Sequence, residues 1–210
     1  IGFDGYGLAR SRLELVLDSR PRYPAPGSGL RLEVWGTVDV GIDRPGLAFA
    51  TLGTEGAAFV DVDGRQRVVS LRQRVELTSN LGNALIPVFE LPTLGGTETM
   101  RGFLPERFRG PSTTVTTLQY SYPVWSLADG FVFYEVGGAF GLPIGYDAFV
   151  GFDAQEFSFG GLAQSFGMGL STNSDRDSRV SLVVAAGTAA FDDGARVEHV
   201  RFLFGTTRGF

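Results

Sequence analysis

Apolar and polar residues alternate with a period of two along most of this chain. In GLRLEVWGTVDV, Leu30, Leu32, Val34, Val38 and Val40 take one face; Arg31, Glu33, Thr37 and Asp39 take the other, with Trp35 among them. In RVVSLRQRVELTSN, Val69, Leu71, Val75 and Leu77 oppose Ser70, Arg72, Arg74, Glu76 and Thr78. In ARSRLELVLDSR, Leu13, Leu15 and Leu17 oppose Arg10, Arg12, Glu14 and Asp18. Successive side chains of a strand point to opposite faces, so each pattern predicts a strand with one apolar and one polar side. The predicted strands are 6–18, 29–40, 47–61, 66–79, 112–122, 130–140, 159–171, 178–188 and 197–210. Each alternating segment is about ten residues, the length a tilted strand needs to cross a bilayer.

A soluble β-sandwich alternates in the same way. Two details favour a barrel in lipid. The polar faces carry charges of both signs in several consecutive strands, as a wet lumen would. The last predicted strand, VRFLFGTTRGF, ends on the aromatic Phe210. The connections also differ in character. SRPRYPAPGSG, DVDGRQ, PVWSLADG and TNSDRDS are compact and rich in turn residues. Segments 80–111 and 141–158 are long and fall at the opposite end. Short turns at one end and long loops at the other suit the periplasmic and extracellular ends of an outer-membrane barrel.

Composition narrows the chemistry. A length of 210 residues suffices for one domain, with no internal boundary or linker, so residues 1–210 read as one barrel region. Cysteine is absent, which removes disulfides and thiolate metal sites. The single histidine, His199, argues against a histidine-based metal site or triad, and no cofactor is expected. A net charge of −5 argues against a nucleic-acid partner. Thirty glycines and 18 phenylalanines suit an all-β chain with many turns. No apolar run reaches the ~18–20 residues of a membrane helix, which leaves a barrel open because its spans alternate. No signal peptide opens the chain, and Ile1 reads as an internal or mature start.

The segment from Asn80 to Ser112 runs roughly thirty residues, far beyond an ordinary connection. It keeps Leu85, Ile86, Val88, Phe89, Leu94, Phe103 and Phe108, which argues against disorder. Within it, Gly95-Gly96-Thr97-Glu98-Thr99-Met100-Arg101-Gly102-Phe103, followed by Arg107-Phe108, resembles the GG…RG(F/Y) loop of the BamA/TamA-like superfamily of outer-membrane barrels. The context strengthens the resemblance: Ile86-Pro87 and Glu90-Leu91 before the Gly-Gly, then Gln119-Tyr120-Ser121-Tyr122-Pro123, then Phe133-Tyr134-Glu135-Val136-Gly137. DSRPRYPAPGSG (Asp18 to Gly29) is similar to the family's D-x-R…P…G turn.

The resemblance implies an all-β fold, an antiparallel transmembrane β-barrel. This chain would hold the last eight or nine strands of a barrel of about sixteen. The loop, about 80–111, would fold back into the lumen. A buried arginine needs a carboxylate to offset desolvation. Glu135 is the best partner for Arg101, because Val132, Tyr134 and Val136 suit lipid and leave Glu135 facing inward. Gly102 would permit a close approach to the wall, and Phe103 would anchor the loop tip. Several positions depart from the family pattern: Gln119 stands where Glu is usual, Ser121 where Arg is usual, and Glu135 where Asp is usual. One of two acidic partners for the loop arginine is therefore neutral. Arg208 takes a usually apolar place in the C-terminal recognition strand, although Phe210 is kept.

Plainer readings stand beside these. Arg101 is also compatible with a solvated loop, and Glu135 with an ordinary ladder to Arg72 or Arg74. Tyr120, Tyr122 and Tyr134 suit an interface girdle. Asp192-Asp193 and Asp175/Asp177 suit solvated turns. An odd count of nine up-down strands does not close into a uniform antiparallel barrel. An eight-stranded barrel is filled by its own side chains and has no room for a loop of ~30 residues. Hence either the chain is the C-terminal part of a larger barrel, or the loop lies outside.

Three functions are in view. The first is a non-enzymatic, multi-pass barrel of the bacterial outer membrane that inserts or translocates polypeptides. Its partners would be outer-membrane lipid, client polypeptides and further strands. The second is an anchor or structural barrel subunit of a larger envelope complex, or of an N-terminal enzyme domain. The third, a hydrolase barrel, has only Ser165 and His199 to offer as nucleophile and base.

Overall fold

The computed structural model describes residues 5–20, 27–126, 128–141, 157–172 and 179–207. Nine long strands form one antiparallel sheet: β1 (Leu8–Asp18), β2 (Gly29–Gly41), β3 (Ala48–Asp61), β4 (Val68–Asn80), β7 (Ser112–Trp125), β8 (Ala128–Phe140), β9 (Ala163–Thr172), β10 (Arg179–Thr188) and β11 (Val197–Thr207). Two short strands, β5 (Thr93–Leu94) and β6 (Phe108–Arg109), pair with each other inside the long loop. The sheet order follows the chain, β1-β2-β3-β4-β7-β8-β9-β10-β11, so every long strand pairs with its sequence neighbours. Strands β1 and β11 each have one partner, and the described sheet keeps two open edges.

The outward face is apolar. Leu13, Leu15, Leu30, Leu52, Leu71, Leu118, Met168, Leu182, Phe202 and Phe204 are all exposed there. The inward face carries Trp35, Asp39, Thr78, Thr117, Phe131, Phe133, Glu135, Ser165, Val183 and Leu203, all buried. Their burial comes from the loop and from inward neighbours rather than from a second sheet. The inward charges pair: Arg31 with Glu33 at 2.8 Å, Arg74 with Glu76 and Glu55, and Arg72 with Glu55 at 3.9 Å. Arg74 also sits 4.9 Å from the centre of the Trp35 ring.

The predicted strands agree with the observed ones except at a few ends. Strand β9 starts at Ala163, because Ser158–Leu162 turns on itself through Gly161 N–H to Ser158 O and Leu162 N–H to Phe159 O. Strand β7 runs on to Trp125, absorbing Pro123 through a register shift between Pro123 and Trp125. A proline cannot donate to the ladder, and an irregularity at that point accommodates it. The short ribbon β5–β6 carries no alternating signal, because two residues per strand are too few for one. Phe210, the 21–26 part of the first turn and most of 141–158 and TNSDRDS lie outside the described residues.

The loop from Leu81 to Pro111 lies against the inward face and packs in two halves. Leu47, Phe49, Ile86 and Leu91 form one apolar cluster, with Tyr6, Leu8, Ala84 and Val88 against it. Leu94, Met100, Phe103, Val115 and Ala163 form the other, with Phe108 against it. The ribbon β5–β6 joins the halves, and Arg109 Nη1 donates to the Val88 carbonyl at 2.7 Å.

Candidate functional site

Glu135 stands in β8, opposite Thr117 of β7 on one side and Ser165 of β9 on the other. Alternation decides its direction: Val132 and Tyr134 are exposed on the outward face, and Glu135 is fully buried on the inward one. An isolated carboxylate at such a place would carry a large desolvation cost. Arg101 offsets it.

The Arg101 backbone N–H donates to Glu135 Oε2 at 2.7 Å, and its Nε–H donates to Oε1 at 2.9 Å. Both carboxylate oxygens are thus engaged by one residue. Arg101 Nη1 donates to Gln119 Oε1 at 3.2 Å, and Gln119 Nε2 donates to Ser121 Oγ at 3.1 Å. The guanidinium lies 3.5 Å from the centre of the Phe133 ring and 5.7 Å from that of Phe131. An aromatic face attracts a cation most strongly where water is excluded. Arg101 Nη2 has no hydrogen-bond partner among the described residues. Glu135 makes its ion pair with Arg101, while Arg72 and Arg74 pair with Glu55.

The loop backbone is shaped for this contact. Gly95 and Gly96 have φ of +116° and +113°, a region that glycine enters without steric cost. Gly102 approaches the wall so closely that an added Cβ would meet the Ala186 carbonyl oxygen at 2.3 Å. Its N–H donates to Ser165 Oγ at 2.8 Å. Phe103 is buried with Met100, Leu94, Val115 and Ala163, and meets Phe108 edge-on at 4.8 Å. Arg201 of β11 donates from Nη1 to the Phe103 carbonyl.

Three contact residues, Ser165, Arg201 and Ala186, lie outside the quoted motif, and a fourth, Met100, stands inside it at an unspecified position. Ser165 is fully buried and committed to the Gly102 N–H, so it is not an accessible nucleophile. Its sequence signal is faint: a hydroxyl on an inward face of small residues, Ala163, Gly167 and Gly169. Arg201 reads in sequence as one more lumen charge. Met100, fully buried with a φ of +48°, and Ala186, which meets Gly102 through its carbonyl, are visible only in three dimensions. His199 lies on the inward side of β11, edge-on to Phe103 at 6.2 Å, and is 3.7 Å from Glu198.

A meandering antiparallel sheet, apolar outside and charged inside, with a long loop packed on its inner face, defines a barrel-type outer-membrane architecture. The Omp85 superfamily domain matches residues 6–207, and the chain belongs to that superfamily. No curated protein matches the sequence. Among solved structures, BamA from Haemophilus ducreyi lacking POTRA domains 1–3 is similar in fold, with a TM-score of 0.68 and 15% identity. The match covers 93% of this chain and 42% of that one, so the chain spans less than half the length of this relative.

Proposed function

We propose that this chain is part of a non-enzymatic barrel of the bacterial outer membrane, crossing it with each long strand, that inserts or translocates polypeptides. Arg101 and Glu135 act as a lock that keeps the loop inside the lumen. The observation that carries the reading is the buried Arg101–Glu135 contact, made through both the backbone and the side chain of Arg101. Membership of the Omp85 superfamily supports the setting.

The physical role is bracing. A wide barrel wall has no second sheet behind it, and the loop supplies packing from within. Clients would be received by strand addition at an open sheet edge, where unpaired N–H and C=O groups offer a template. The apolar outward face contacts lipid.

The reading is tested in cells that depend on the full-length protein. Arg101→Ala is expected to lower the levels of other outer-membrane proteins and the heat resistance of the barrel. Unchanged levels and unchanged heat resistance would remove the lock from the account. If depletion of the protein itself leaves other outer-membrane proteins at normal levels, the chain serves as an anchor or structural barrel.

A further inference from the structure

The Arg101 lock holds only one half of the loop. The other half, Leu81–Leu91, has its own charged contact, far from Glu135 in the sheet order. Glu90 ends the short 3-10 turn Val88–Glu90. Its Oε2 accepts from Arg10 Nη2 of β1 at 2.7 Å, and its Oε1 accepts from the Tyr6 hydroxyl at 2.9 Å. Arg10 Nε also donates to Asp39 Oδ1 of β2 at 2.6 Å, and Asp39 is fully buried. One arginine therefore ties the loop carboxylate to the wall carboxylate. The apolar cluster of Leu47, Phe49, Ile86 and Leu91 lies in the same half.

The two halves bear on different parts of the sheet, the near half on its first strands and the far half on β7 to β11. The near half touches β1 through Arg10 and β3 through Phe49, and Arg10 is itself bonded to Asp39 of β2. The far half touches the last hairpin, through Gly102 against Ala186 of β10 and the Phe103 carbonyl on Arg201 of β11. The two apolar clusters share no residue. Among the described residues the links between them are few: the ribbon β5–β6, the bond from Arg109 to Val88 with its guanidinium 5.9 Å from the centre of the Phe89 ring, and the bond from Gly110 N–H to Pro92 O at 3.2 Å.

We propose that Arg10 and Glu90 are positioning residues forming a second anchor, which holds the near half of the loop on the wall independently of the Arg101–Glu135 contact that holds the far half. The proposal rests on the reading of the loop as a lumen brace. It gives the brace two separate holds, a part-exposed one at β1–β2 and the buried Arg101–Glu135 one at β8. Burial and the Glu90 carboxylate push the Tyr6 phenol up to about 12, so its hydroxyl stays a donor across the physiological range.

The test is hydrogen exchange on the full-length protein in detergent micelles, read by mass spectrometry over loop peptides. Glu90→Gln weakens the near anchor and leaves the glycines and Arg101 intact. Exchange at 82–91 is expected to rise roughly tenfold, the effect of losing a charged hydrogen bond, while 100–104 stays within about twofold. Glu135→Gln is expected to give the reverse pattern. Tyr6→Phe removes one bond and keeps the ring; a smaller rise confined to 82–91 serves where Glu90→Gln does not fold. A rise in both halves for either variant, or no rise at 82–91 in Glu90→Gln and Tyr6→Phe, overturns the proposal. The readout does not depend on client assembly, so a failure of the assembly function leaves it interpretable.

Discussion

Arg101 and Glu135, 34 residues apart, meet through two donors on one residue and two acceptors on the other. The backbone N–H fixes the loop's path, and the Nε–H fixes the side chain. Loss of the carboxylate therefore strands a buried cation and an unpaired amide together. Glu135→Ala is expected to destabilise the barrel by about 3–5 kcal/mol, the usual effect of breaking a buried pair from one side. The midpoint of urea unfolding in micelles checks this, and a change below about 1 kcal/mol would mean the pair is solvated.

Gly102 gives a steric test of the same contact. A methyl group there would meet the Ala186 carbonyl at 2.3 Å, a backbone atom that cannot move alone. Gly102→Ala is expected to push the loop off β10 and cost about 1–3 kcal/mol. Gly36→Ala is the control, since nothing lies within 4 Å of the added carbon. Equal effects of the two substitutions on heat-dependent mobility in gels would show that Gly102 is not pressed against the wall.

Gln119 receives Arg101 Nη1 as a neutral amide, and Arg101 Nη2 has no partner among the described residues. A second carboxylate at this point would accept from the guanidinium with charge assistance. Gln119→Glu is expected to raise stability by about 1 kcal/mol in the wild-type background and to give no gain in Arg101→Ala. A gain of the same size in both backgrounds, measured by unfolding midpoints, would place its source elsewhere.

Phe202 is 79% exposed on the outward face of β11. On a lipid-facing wall, a charge there is costly. Phe202→Arg is expected to destabilise the barrel by about 2–4 kcal/mol in bilayers if the site lies near the midplane. Folding titrations in vesicles check this; an effect within ~0.5 kcal/mol, as at a solvated surface, would contradict a lipid-facing β11.

The nine strands were legible because one face of each is apolar and the other polar, a signal carried by single residues such as Leu30 against Arg31. The inward direction of Glu135 followed from the same alternation. Strand ends were less legible. Proline at 123 signals a stop, yet a register shift lets β7 continue to Trp125. The Arg-Gly-Phe motif pointed to the loop, but its contacts with Ser165 and Arg201 join positions 63 and 98 residues away, which no local pattern encodes. The Tyr6–Arg10–Glu90 contact is hidden for the same reason: Glu90 belongs to the lead-in of the loop motif, but nothing in the sequence ties it to Tyr6 or Arg10, 84 and 80 residues away.

The most direct measurement is a double-mutant cycle in the full-length protein. Arg101→Ala, Glu135→Ala and the pair together are compared for barrel heat resistance and for the levels of other outer-membrane proteins. A lock in which the two residues act as one unit predicts that each single variant lowers both readouts and that the double variant is no worse than the more damaging single. Additive losses, or singles that match the wild type, would contradict it.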